Sequence, residues 1–211
     1  MNTTILKSLV ISAALSLGIA ASAQSGDVAP SITNDGQGLL GQTYAGLTYS
    51  YTDLRGVSFH ADTYGFNYNQ ALNSGLDGFL TYNYSQTGLV AGSRVKGQDV
   101  GAGLRAFSNS FAWGKPFIEA GAGYAWTKYA GVKDNSFYWE ATTGVEFQVA
   151  AAFTVVPFVR YTDAPDLATD GAWDYGVRAN YWVNSEWSVV AGVARDDDKN
   201  MTYTLGTNFR F

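Results

Sequence analysis

Cysteine is absent from this 211-residue chain, which removes disulfides and thiolate metal centres from consideration. Charge is scarce: Asp, Glu, Lys and Arg together make up 15% of the residues, against roughly 25% in soluble domains. The net charge is −5, and no run of Lys and Arg appears along the chain, so nucleic acid is not an expected partner. Proline occurs only four times, and histidine once, as His60. Long apolar runs are missing after the first 23 residues, so any insertion into a membrane must be made by strands rather than helices.

Aromatic residues and glycine are plentiful instead. Phe, Tyr and Trp reach 15% and there are 24 glycines; the aromatics favour strands, and glycine permits bulges and close backbone approach. Residues 1–23 read as a targeting segment, with Lys7 in a positive region, an apolar stretch from Leu9 to Ala20, and Ala21-Ser22-Ala23 before Gln24. Cleavage is expected between Ala23 and Gln24. Residues 24–38 are polar and turn-rich, a flexible periplasmic lead-in, and residues 39–211 form the folded domain.

From residue 39 onward the sequence alternates almost without a break, which describes strands with one apolar and one polar face. Ten can be counted, near 39–53, 58–72, 76–84, 96–107, 115–129, 136–149, 153–162, 172–183, 187–196 and 201–211. In the first, Leu39, Ala45, Leu47, Tyr49 and Tyr51 are expected on the apolar face. The second is ambiguous by itself. A tight turn at Asn73-Ser74-Gly75 resolves it by pairing Leu72 with Leu76, Tyr68 with Leu80, Phe66 with Tyr82 and Tyr64 with Tyr84, so that both apolar faces coincide.

The polar faces carry Gly, Thr, Ser, Asn and Gln with isolated charges, which suits a narrow interior filled by side chains better than a solvated sandwich surface. Aromatics gather at strand ends: Phe153, Tyr181, Trp187, Phe209 and Phe211 by one set of turns, Trp126, Trp139, Tyr161, Trp173 and Tyr203 by the other. Two such belts match membrane–water interfaces. The expected fold is therefore an all-β, transmembrane, antiparallel up-and-down barrel of ten strands, with eight as the alternative count. Connections after even strands are mostly tight. Those after odd strands, such as 86–95, 129–135 and 162–171, read as longer polar loops, which places both termini in the periplasm.

The last strand alternates Tyr203, Leu205, Phe209 and Phe211 against Thr202, Thr204, Asn208 and Arg210. It resembles the C-terminal assembly signal of bacterial outer-membrane barrels, and with the signal peptide, alternation and belts the chain resembles the small OmpA-type and OmpX-type barrel families. That resemblance implies an outer-membrane location, contact with outer-membrane lipid or lipopolysaccharide, delivery by the barrel-assembly machinery, and a monomer without cofactor. Ten strands exceed the eight usual in those families.

Candidate functional residues fall into three groups. By parity Asp77, Asp99, Glu119, Glu140, Glu146 and Asp174 face inward, as do Arg105, Arg160, Arg178 and Arg210; charges in a low-dielectric interior must be paired or wet. The network of Arg105, Glu119, Glu140, Arg160, Asp174 and Arg178 implies a filled, closed lumen, with a small porin-like passage as the alternative. Ser58, His60 and Asp62, with Asp53 opposite, supply the parts of a nucleophile, base and orienting group at the rim, a further alternative as a lipid-modifying enzyme. Asp163, Asp166 and Asp170, and Asp196-Asp197-Asp198, follow no calcium-loop spacing and read as a solvated acidic rim. The expected function is that of a non-enzymatic structural or surface barrel.

Overall fold

Alternation becomes architecture in a computed structural model that describes residues 38–90, 92–167 and 171–211. The proposed signal peptide with its Ala23–Gln24 cleavage site, residues 24–37 of the lead-in, and Asp170 lie outside the described residues. Ten strands follow one another among them: β1 (Tyr44–Asp53), β2 (His60–Asn73), β3 (Leu76–Val90), β4 (Ser93–Phe107), β5 (Lys115–Tyr129), β6 (Val132–Ala150), β7 (Phe153–Asp163), β8 (Ala172–Trp182), β9 (Trp187–Asp196) and β10 (Met201–Arg210). Each pairs antiparallel with its sequence neighbours, and β1 pairs with β10, from Tyr44 opposite Arg210 to Asp53 opposite Met201. That pairing closes the barrel and leaves no free edge.

The usual distribution of polarity is inverted. Leu47, Leu80, Leu104, Ile118, Val177 and Leu205 are exposed on the outer wall, Ile118 at 63%. Inside, Thr63, Asn67, Asn83, Asp99, Arg160 and Thr204 are buried. Water would penalise this outer surface, whereas hydrocarbon would not, and a closed barrel satisfies every backbone group internally. Rings form the two belts. Trp139, Tyr161 and Trp173 pack as tilted rings with centroids 5.2 and 5.0 Å apart toward one end, and Trp187, Phe209 and Phe211 at 4.8 and 5.8 Å toward the other. Tyr44, opposite Arg210, marks the terminal end; the opposite one is the loop end.

The β2–β3 register pairs Tyr64 with Tyr84, Phe66 with Tyr82 and Tyr68 with Leu80, as face matching requires. Nearer the turn it departs from expectation: Asn73, not Leu72, faces Leu76, across a bulge between Ala71 and Asn73. The bulge absorbs one residue and shortens the turn to Ser74-Gly75.

Two segments read as loops are strand instead. β5 and β6 continue to a pairing of Tyr129 with Val132, closed by Ala130 and Gly131 at φ 48° and 88°. Two consecutive positive φ values give the two-residue hairpin whose twist matches that of the strands it joins. β3 and β4 likewise continue until Val90 faces Ser93. Strand one is shorter than expected, because residues 39–43 turn into the barrel mouth rather than joining the wall.

Candidate functional site

The lumen is the chemically dense part of the molecule, and it is organised in two halves. In the terminal half, Arg105 on β4 meets Glu119 on β5, its direct cross-strand partner, with Nη2 and Nε at 2.5 and 2.7 Å from Oε2. The guanidinium lies over the rings of Phe79 and Phe117, at 5.5 and 6.0 Å from their centroids. Arg178 lies 5.3 Å over Phe158, and Arg210 5.1 Å over Trp182. Cation–ring contacts of this kind gain strength when desolvated.

Residues 38–43 close that end. Leu40 packs with Phe117, Val156 and Phe158, and Leu39 with Tyr44 and Trp182. Buried carboxylates key the segment in place: Leu39 N–H donates to Glu146 Oε2 at 2.5 Å, and Gly41 N–H to Asp77 Oδ2 at 3.1 Å. Asn69 Nδ2 donates to the Gln42 carbonyl at 2.6 Å. A pocket of about 10 Å³ beside Leu39, Leu40, Arg105 and Arg178 has room for about one water. Leu39 therefore corrects its expected place on the outer face of strand one: it is 1% exposed inside the mouth. Alternation could not reveal this, because a plug is not a strand.

In the loop half, Arg160 Nε donates to Asp174 Oδ2 at 3.2 Å, and Nη1 stands 4.0 Å from Glu140 Oε2. Asp174 is the direct cross-strand partner of Arg160, and Glu140 is diagonal to it. Asn83 Nδ2 donates to Asp99 Oδ1 at 2.9 Å, while Ser50–Thr204 and Thr52–Thr202 pair by hydroxyls at 2.8 and 3.0 Å. Leu167 and Ala164, from the segment after β7, pack on Tyr138 and Ala125 over this half, and Asp166 N–H donates to Ser136 Oγ at 3.2 Å. Sequence reading missed that inward fold; the lone Leu167 in a polar stretch was its only signal.

Inward glycines accommodate the rings. A Cβ at Gly103 would collide with the Phe79 ring and the Ala120 carbonyl, and one at Gly123 with the Tyr138 hydroxyl and the Val100 carbonyl.

Ser58, His60 and Asp62 are placed differently. Ser58 is exposed in the turn between β1 and β2, and no hydrogen bond joins it to His60. His60 and Asp62 share the exterior face with Tyr64, and His60 Nε2 is 3.5 Å from Asp62 Oδ2. Asp62 Oδ1 accepts from the Tyr49 hydroxyl at 2.7 Å, and the His60 ring stacks on Tyr51 at 4.8 Å. His60 is thus held by Asp62 and Tyr51, and Asp62 in turn by Tyr49, without the nucleophile. Asp53 faces His60 in register. Nor is the acidic rim wholly solvated: Asp196 is 1% exposed and binds Asn200 through N–H and Nδ2 at 2.8 and 2.7 Å. No group of carboxylates or His fit to hold a metal ion occurs among the described residues.

At the terminal belt Phe209 contacts Trp187 and Phe211, and Phe211 reaches Tyr68 across β1 at 6.4 Å. Tyr203 and Leu205 are exposed on the same outer face, with Tyr203 nearer the loop end.

No model of a known protein family matches the chain, and no curated protein matches it. Solved structures do. The NanC porin is 11% identical over 79% of this chain and 100% of that one, with a TM-score of 0.50. The β domain of the Bordetella autotransporter BrkA is 13% identical over 80% and 98%, at 0.47. Ail, the attachment invasion locus protein of Yersinia pestis, is 14% identical over 80% and 96%, at 0.40. With its closed ten-stranded wall and apolar exterior, the chain has the fold of a bacterial outer-membrane β-barrel.

Proposed function

We propose that this protein is a closed, non-enzymatic structural or surface barrel of the bacterial outer membrane, with its terminal end in the periplasm and its loop end outside. It takes no cofactor, works as a monomer among outer-membrane lipids, and reaches its place through the barrel-assembly machinery. One observation carries the closed-lumen reading. Leu39 and Leu40 fill the terminal mouth and are keyed by Glu146 and Asp77 directly beneath the Arg105–Glu119 pair. An ion crossing that layer would have to break a buried ion pair and displace apolar side chains. The orientation is supported by the reach of the hairpins. At the loop end β3–β4 and β5–β6 continue past the aromatic belt to Val90–Ser93 and Tyr129–Val132. At the terminal end β2–β3 and β6–β7 close in two-residue turns, as in barrels with long extracellular and short periplasmic connections. The non-enzymatic reading is supported by the distance in function between Ser58, which is exposed, and His60, which is engaged with Asp62 and Tyr51.

Planar-bilayer recording on the refolded protein tests the reading. The membrane should stay silent in molar potassium chloride, and stable unitary steps would overturn it. A small porin-like channel is the second reading, favoured by the run of inward Thr and Ser side chains in the loop half, including Thr52, Thr63, Ser85 and Thr204.

A further inference from the structure

Basic residues that are scattered in sequence are assembled by the sheet into one row. Lys96 on β4 faces Lys128 on β5, and Lys128 faces Lys133 on β6. All three side chains are exposed, and by alternation they lie on the outer wall with Val100, Trp126 and Phe137. Adjacent strands stand about 4.8 Å apart, so the row spans about 10 Å. Arg94, exposed two residues beyond Lys96, extends it and donates to Gln86 Oε1 at 3.3 Å.

Like charges directly opposite one another destabilise a sheet. Nothing on the same face offsets them. None of the three lysines has a carboxylate within ion-pair distance among the described residues. Asp134, next to Lys133, has lumen parity, and on β3 the residue facing Lys96 is the uncharged Gln86. On β7 the outward acid is Asp163, which faces Trp139, six residues along β6 from Lys133 and hence about 20 Å away along the strand. The outward carboxylates of this rim, Asp53 and Asp62, are on β1 and β2.

Height identifies what the row meets. Gln98, Trp126 and Asn135 form the next outward row toward the membrane centre, two residues or about 7 Å along the strands. Interfacial Trp and Tyr rings lie at headgroup level. Three ammonium groups just above them stand where lipid phosphates are.

We propose that Lys96, Lys128 and Lys133 form a binding site on the outer wall for the phosphate headgroup of an anionic lipid in the loop-side leaflet. The bound phosphate neutralises a row that is otherwise self-repelling, so lipid and sheet stabilise each other. The proposal rests on reading the barrel as membrane-spanning.

Native mass spectrometry of the refolded protein, released from micelles containing phosphatidic acid or phosphatidylcholine, tests it. The wild type should retain phosphatidic acid about tenfold over phosphatidylcholine, since each lysine near an anionic surface contributes about fivefold before salt screening. K96Q/K128Q/K133Q should lose the preference to within about twofold, and Lys199→Gln, in another loop-end turn, should keep it. Inorganic phosphate at matched concentration should leave the bound lipid in place; full displacement by it would mean a free-anion site and overturn the lipid assignment. If the triple variant does not fold, Lys128→Gln, the middle of the row, must by itself lower retention about twofold, one lysine's share of the screened tenfold preference. Undiminished retention in either variant overturns the proposal. A wild type that gives no heat-modifiable band, the altered gel migration of an unboiled folded barrel, would sink the membrane-spanning reading and this site with it. A folded wild type without lipid preference would sink the site alone.

Discussion

Arg105 illustrates what a buried charge does at the scale of one residue. It is 2% exposed between two phenyl rings, and Glu119 is its ion-pair partner. Removing one partner of such a pair costs about 3–5 kcal/mol, because the other charge is left uncompensated, whereas replacing both by apolar groups of similar volume is often neutral. Glu119→Ala should therefore lower unfolding stability in urea by about 3–5 kcal/mol, and Arg105→Met with Glu119→Leu by much less. Equal losses in the two variants would show that the pair matters for its net attraction rather than for mutual compensation. Strict alternation made these inward charges legible in sequence. The rings over which the arginines lie were less so, since Phe79 and Phe158 look like any other strand aromatics.

At the scale of the element, β10 is the closing strand. Its outer face ties the terminal belt together through Trp187, Phe209 and Phe211, and Phe211 reaches over β1 to Tyr68. Both seams of β10 depend on that corner, because β10 pairs with β1 and β9 at once. Deleting Phe211 should reduce the heat-modifiable fraction in the outer membrane while leaving total synthesis unchanged, as read on unboiled and boiled gels. An undiminished folded band would show that the ring is dispensable. Element ends were the least legible part of the chain. Residues 86–90, 93–95 and 129–135 interrupt the apolar alternation because their strands rise beyond the apolar band, and such a stretch reads in sequence as loop. The pairing of Ala130 and Gly131 at positive φ is what permits the longer hairpin.

At the scale of the whole molecule, the barrel has a closed wall and a filled interior, and the filling comes partly from outside the strands. Residues 38–43 stop the terminal mouth, and Ala164 and Leu167 cover the loop half. Leu39→Gly with Leu40→Gly should weaken the terminal stopper without touching the wall. Stable conductance steps should then appear in planar bilayers where the wild type is silent; continued silence would place the block at the Arg105 or Arg160 layer instead.

The sequence by itself determined the architecture. A period of two, sustained over ten segments with aromatic residues at their ends, leaves one apolar and one polar face per strand, and a closed wall in lipid is the arrangement that satisfies both. Only the tertiary structure decided where isolated residues gather, because that depends on register between strands distant in the chain. Lys96, Lys128 and Lys133 form no run in sequence, and composition argued against any basic cluster; antiparallel pairing sets them side by side. The turn between β1 and β2 leaves Ser58 outside the strand that holds His60, and the turn before β1 carries Leu39 from the expected outer face into the lumen.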